Sequence, residues 1–119
     1  LNLGRRLGFE LSTAKESRIE RGYLERDKED EPLNRLFNTS PVFSQIPGPN
    51  HVESRYLTED IAYGLVLWSS LGRVIDVPTP NIDAVIVIAS TILERDFFEE
   101  GLTVEEIGLD KLDLEKYLK

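Results

Sequence analysis

Three observations predict an all-α fold for this 119-residue chain. No stretch alternates apolar and polar residues with the two-residue period of a half-buried strand, and there is no internal repeat. Two apolar runs, residues 58–75 and 80–95, place their large side chains at helical three- and four-residue spacing. Helix-start signals precede most of the periodic segments. The expected architecture is two buried central helices wrapped by shorter amphipathic ones.

Residues 1–11 (LNLGRRLGFEL) read as the end of a helix and a turn, because Gly4 and Gly8 weaken a longer helix. Thr13-Ala-Lys-Glu16 matches a capping box, in which hydroxyl and carboxylate satisfy free backbone N–H groups reciprocally. A polar helix over about 14–27 follows, with a narrow apolar stripe of Ile19, Tyr23 and Leu24. Pro32 suits the first turn of a short helix carrying Leu33, Leu36 and Phe37. Residues 38–50 hold prolines at 41, 47 and 49, which remove N–H donors and predict an irregular loop. Val42, Phe43 and Ile46 predict that this loop packs down in order.

Thr58 reads as the N-cap of the central helix, with Glu59 and Asp60 in its first turn, where carboxylates oppose the positive end of the dipole. Ile61, Leu65, Trp68 and Ile75 form one stripe and Leu67, Leu71 and Val74 another, so this helix is expected to be buried on most sides, Trp68 included. Gly64 and Gly72 would permit close helix approach at about 1 kcal/mol each relative to alanine. Val77-Pro-Thr-Pro80 breaks the chain, and Thr79-Pro80 opens the second long helix. Thr103-Val-Glu-Glu106 is a second capping box, and residues 110–118 read as a closing short helix.

With 22 acids against 14 bases, the net charge of −8 repels phosphate backbones and anionic lipids, which argues against nucleic-acid and membrane roles. Cysteine is absent, so there is no disulfide framework and no thiolate metal site. That composition fits a cytoplasmic protein. The apolar run Ala84–Ala89 is far shorter than the roughly 20 residues a membrane helix needs. One histidine and scattered acids offer no metal-ligand spacing, and Gly4-Arg-Arg-Leu-Gly8 is no glycine-rich phosphate cradle. The chain opens on Leu1 and contains no methionine, which reads as one helical domain, residues 1–119, of a longer protein, shortened at its N-terminus.

The segment His51-Val-Glu-Ser-Arg-Tyr-Leu-Thr-Glu-Asp60 concentrates the candidate chemistry. An ionised carboxylate fixed at a helix N-terminus can orient a histidine and stabilise its imidazolium form. A guanidinium just before it offers a planar fork suited to a substrate carboxylate. On the residues alone, the plainer reading is the stronger one: Asp60 as a capping acid, Arg55 as a surface ion-pair residue and His51 as loop.

Arg55-Tyr-Leu-Thr-Glu-Asp60, followed by Ile61-Ala-Tyr-Gly-Leu65 and then Val77-Pro-Thr-Pro80, resembles the C-terminal helical domain of the opine (octopine/nopaline) dehydrogenase family. Asp96-Phe-Phe-Glu-Glu-Gly101 and Glu106-Ile-Gly-Leu109 are similar to that family's tail. The resemblance covers residues 34–110 well and 1–33 weakly. It implies a helical substrate domain related to those of 6-phosphogluconate and glycerol-3-phosphate dehydrogenases. The parent would condense an amino acid with a 2-oxo acid and reduce the imine with NAD or NADP, bound mainly by an N-terminal Rossmann domain not in this chain. Arg55 would hold a substrate carboxylate, and Asp60 would orient the catalytic histidine. That histidine lies well upstream in the family, and His51, four residues before Arg55, does not match it. Leu102 stands where the family often has arginine. The fragment alone is therefore expected to be inactive. A homodimer through apolar surface left by the missing domain is a further expectation. The alternatives are a related hydroxy-acid dehydrogenase branch and a non-enzymatic helical interaction module.

Overall fold

In the computed structural model, which describes residues 1–113 and 116, every regular element is helical. The chain divides into two compact units, Glu10–Gly48 and Leu1–Phe9 with Pro49–Lys119. None of the helices among the described residues is long and apolar enough to cross a membrane.

The larger unit opens with α1 (Asn2–Arg6), which ends before Gly8 in the left-handed region at φ 79°. Its centre is one continuous helical stretch in three parts: α4 (Arg55–Glu59), a π-helical segment (Asp60–Leu65) and α5 (Val66–Val74). This stretch begins one turn before the predicted start. Ser54 takes the N-cap position without a side-chain cap bond, and the Thr58 hydroxyl donates to the Ser54 carbonyl at 3.3 Å. Serine is as good an N-cap type as threonine, and residues 55–57 contain no helix breaker, so the helix forms earlier. Thr58 and Asp60 are therefore interior to the helix, and the predicted capping role of Asp60 does not hold.

The π segment also changes which residues face inward. A turn with i→i+5 bonding holds an extra residue, so the apolar spacing read from an unbroken α-helix slips out of phase beyond it. Ile61, Ala62, Val66, Ser69 and Ser70 are buried, whereas Trp68 is 53% exposed and not in the core as its stripe predicted. The left-handed Asp76, at φ 55°, follows the end of α5. The Val77 N–H then donates to the Gly72 carbonyl at 2.8 Å. A β-carbon on Gly72 would stand 2.6 Å from the Val77 carbonyl oxygen and 3.5 Å from Leu3 of α1, so this glycine chiefly admits the returning loop.

Pro80 starts α6 (Pro80–Leu93), as the proline signal predicts. Asp83 in its first turn accepts from the Ser69 hydroxyl at 2.6 Å and the Thr79 hydroxyl at 3.2 Å, which pins the loop to both long helices. Only one side of α6 is buried, through Ile86 and Ala89; Val85, Ile88 and Ile92 lie outside. The expectation of a second buried helix thus holds on one side only: the packed side of α6 is narrower than its apolar surface. Glu94, left-handed at φ 51°, ends it.

Asp96 caps the short α7 (Phe97–Glu100), its carboxylate accepting from the N–H groups of Phe98 at 3.0 Å and Glu99 at 3.3 Å. Phe97 is fully buried against Ile61, Ala62, Val66, Ile86 and Ala89, a burial worth about 1.5–3 kcal/mol for one such side chain. The predicted second capping box is present: the Thr103 N–H donates to Glu106 at 2.8 Å, and the Glu106 N–H donates to the Thr103 hydroxyl at 3.4 Å. Of the closing helix, the described residues contain a 3-10 turn, Leu109–Lys111. Residues 114, 115 and 117–119 lie outside the described residues.

In the smaller unit, the first capping box forms as predicted and opens α2 (Ala14–Glu20). Ile19, Leu24 and Leu36, the last on α3 (Leu33–Thr39), make its core, with Phe37 and Phe43 packed on it. The Lys15 ammonium donates to the carbonyls of Glu29 at 2.7 Å and Glu31 at 2.8 Å, closing the intervening acidic loop. The proline-rich stretch is not wholly irregular: a 3-10 turn covers Phe43–Gln45. Phe43 packs against Phe37 with ring centroids 4.5 Å apart, whereas Val42 and Ile46 are exposed, so only one of the three expected anchors packs down, and it is half-buried.

Candidate functional site

Arg55 is the first residue of α4, with its side chain 76% exposed. Its Nε lies 3.7 Å from the Glu59 carboxylate, one turn on. A pair this exposed is worth at most about 1 kcal/mol, so the guanidinium is free to exchange Glu59 for another carboxylate. Asp60 begins the π segment and is also exposed. Among the described residues its carboxylate has no hydrogen bond or ion pair, which leaves both oxygens open to a donor from outside.

The two sequence-predicted residues are close along the helix but do not share a face. Five α-helical positions separate them by roughly 140° around the axis. Asp60 instead lies one turn beyond Tyr56, on the side where a groove of about 660 Å³ opens. Tyr56, Tyr63, Gly64, Trp68 and Val85 line that groove together with Asp60, and Arg55 is not among its walls. What the structure brings together is thus a carboxylate beside an aromatic groove, with the arginine around the shoulder of the same helix.

His51 does not join them. Its Nδ1 accepts from the Glu53 N–H at 3.1 Å and lies 3.8 Å from the Glu53 carboxylate, a local turn ahead of the helix. Arg95, farther along the unit, is occupied: Glu100 accepts from its Nε at 2.8 Å and from Nη2. That hydrogen bond, first among its causes, raises the Arg95 guanidinium above its ordinary range. Arg95 also lies over the Phe97 ring, 4.8 Å from its centroid.

The groove residues escaped the sequence reading because Trp68 and Gly64 were both assigned inward. The signal available was Gly64 itself, a glycine inside a strongly helical run with a second glycine to account for close packing eight residues later. The described residues include no strand and no glycine-rich strand-to-helix turn that would cradle a pyrophosphate. Nor does any group of three or more histidine, aspartate or glutamate side chains among them have the arrangement to hold a metal ion.

Comparison with known proteins extends these observations. The family model for the NAD/NADP octopine/nopaline dehydrogenase alpha-helical domain matches residues 1–93. An opine dehydrogenase of Arthrobacter sp. (strain 1C) is 45% identical over 73 residues, covering 61% of this chain and 20% of that protein. The protein ocs of Agrobacterium tumefaciens (strain Ach5) is 34% identical over 80 residues, 67% of this chain and 21% of the other. The vitopine synthase of Allorhizobium ampelinum is 33% identical over 74 residues, 62% and 21% of the two chains. The matched part thus amounts to about a fifth of each relative's length. With an all-helical fold and a family-model match over residues 1–93, the chain belongs to the octopine/nopaline dehydrogenase family and represents its alpha-helical domain.

Proposed function

We propose that this domain is the substrate-side half of an NAD- or NADP-dependent, opine-dehydrogenase-like oxidoreductase that acts in the cytoplasm. The reaction is the reductive condensation of an amino acid with a 2-oxo acid. The observation that carries the reading is the exposed pair Arg55 and Asp60 on the helix that the family model covers, both without strong partners of their own. Arg55 holds a substrate carboxylate through its planar fork. Asp60 orients a histidine supplied from outside this chain and stabilises its protonated form while it exchanges a proton with the substrate. The nicotinamide, which donates hydride in such reactions, belongs to a nucleotide-binding domain of the parent, and the fragment alone is inactive.

The test is a substrate screen of the full-length parent, following nucleotide oxidation with pyruvate and a panel of amino acids. The proposal expects oxidation only when amino acid and oxo acid are both present. Oxidation with an oxo acid alone would favour a hydroxy-acid dehydrogenase. The exposed apolar side of α6 (Val85, Ile88 and Ile92) favours a second reading, a helical interaction module, which predicts no turnover with any pair.

A further inference from the structure

The π segment leaves one of its carbonyls to be answered from outside the helix. In an α-helix the Val66 N–H would donate to the Ala62 carbonyl, four residues back. Here it donates to the Ile61 carbonyl, five residues back. The Ala62 carbonyl accepts instead from the Leu102 N–H, at 2.9 Å. In the π register, Leu102 thus takes the place that Val66 would have in the α register.

The tail that supplies this donor has anchors of its own. The Phe97 N–H donates to the Ser90 hydroxyl oxygen of α6 at 3.2 Å, and the Val104 N–H to the Ser70 hydroxyl oxygen of α5 at 3.0 Å. The side chains of Phe97 and Val104 are fully buried. Between them, Gly101 comes so close that a β-carbon would stand 2.7 Å from both the Ala62 carbonyl oxygen and Val66 Cγ2. Residues 97–104 are therefore a template fixed on both long helices and pressed against the π segment.

The register of that segment decides where Asp60 points. A π turn is a rare helix form, found frequently at functional sites, and holds one residue more than the α turn it replaces. A return to the α register would rotate the preceding chain by about 100° and shift it by about 1.5 Å along the axis, relative to α5. Asp60 is the first residue of the π segment, on the side that would move. We infer that the Leu102 N–H is a positioning group: by holding the Ala62 carbonyl it keeps the π register, and with it the direction in which Asp60 presents its carboxylate to the histidine. The inference rests on the role proposed above for Asp60. It requires no particular side chain at position 102, because the donor is backbone.

Leu102→Pro in the full-length parent removes this one donor. Gly101 before it already has the extended conformation, φ −84° and ψ 157°, that a following proline favours. With an amino acid and oxo acid that the wild-type enzyme turns over, kcat should fall about tenfold to a hundredfold, the size of a small misplacement at a catalytic site, with KM nearly unchanged. The histidine limb of the pH profile of kcat/KM should move to lower pH, because a carboxylate turned away no longer favours the imidazolium. Leu102→Ala, which loses the side chain and keeps the N–H, should retain the wild-type limb. In an Asp60→Asn background, Leu102→Pro should cost little further, since both changes act through one carboxylate. Gly101→Ala presses on the same carbonyl and should move the limb in the same direction, so the test survives if Leu102→Pro does not fold. A limb unmoved in both tail variants, a limb moved equally in Leu102→Ala, or losses that multiply in the double variant would overturn the inference. Failure of the underlying reading is distinct, since Asp60→Asn by itself would then turn over like wild type.

Discussion

Gly101 and Ala62 are pressed together so closely that a β-carbon on Gly101 would stand 2.7 Å from the Ala62 carbonyl oxygen. That carbonyl accepts a hydrogen bond from the Leu102 N–H at 2.9 Å, which ties the tail to the π segment of the central helix. The contact explains why a glycine follows α7: its backbone conformation is ordinary, and the constraint is space.

Gly101→Ala should therefore destabilise the protein by about 1–3 kcal/mol, because the neighbours it meets are backbone atoms that cannot swing aside. Gly64→Ala should do the opposite and stabilise by about 0.5–1 kcal/mol, through helix propensity in open space. Denaturant midpoints of the two variants should move in opposite directions. A Gly64→Ala variant as unstable as Gly101→Ala would show that Gly64 is packed after all.

Ser70 is fully buried and has two partners: its hydroxyl donates to the Leu67 carbonyl at 2.9 Å and accepts from the Val104 N–H at 3.0 Å. Ser70→Ala strands the Val104 N–H without a partner, so a loss of about 1–3 kcal/mol is expected. Amide exchange at Val104 should accelerate more than at Phe97 if the cost is local. Equal acceleration everywhere would mean that the hydroxyl stabilises the unit as a whole.

The first capping box makes stability pH-dependent. The Thr13 N–H and hydroxyl hold the Glu16 carboxyl below its ordinary range. A carboxyl with a lowered folded-state value contributes stability that is present above the unfolded value and lost as pH falls through the folded one. Wild type should thus melt higher than Glu16→Gln at neutral pH. The gap should close as the pH drops below the ordinary glutamate range. Thermal midpoints at neutral and acid pH check this, and a gap constant with pH would contradict it.

Arg55→Lys in the full-length parent replaces a planar two-pronged donor by a point charge. Use of the oxo acid should weaken by about tenfold or more, in KM before kcat, while nucleotide KM stays near wild type. Oxo-acid kinetics equal to wild type would remove Arg55 from the carboxylate site.

The secondary structure was legible where local chemistry decides it. Thr13 with Glu16, Thr103 with Glu106, and Pro80 each announced a helix or turn start that forms as expected. Burial was less legible: Val85, Ile88 and Ile92 of α6 and Val42 and Ile46 of the proline-rich stretch lie exposed, and the π segment adds its own departures. An i→i+5 turn leaves no mark in hydropathy, so an apolar stripe drawn through Ile61 and Trp68 at α-helical spacing assigned a half-exposed tryptophan to the core. The helix starts a turn earlier than expected because Ser54 and Thr58 are both good cap types one turn apart, and residues 55–57 contain no helix breaker to hold the start at Thr58. Arg55 and Asp60 were legible as a motif, but the groove beside Asp60 was not, since it exists only once Val85 is brought over from α6.

The most direct measurement is the turnover of Asp60→Asn in the full-length parent, together with nucleotide binding. Asparagine keeps the shape and removes the charge, and it leaves the histidine without its orienting anion. The expected result is a fall in kcat of about 10⁴-fold, the size seen when the orienting aspartate of a triad is made asparagine, with nucleotide affinity largely retained. Turnover equal to wild type would contradict the assignment of Asp60 and, with it, the proposed division of the site between this helix and the rest of the enzyme.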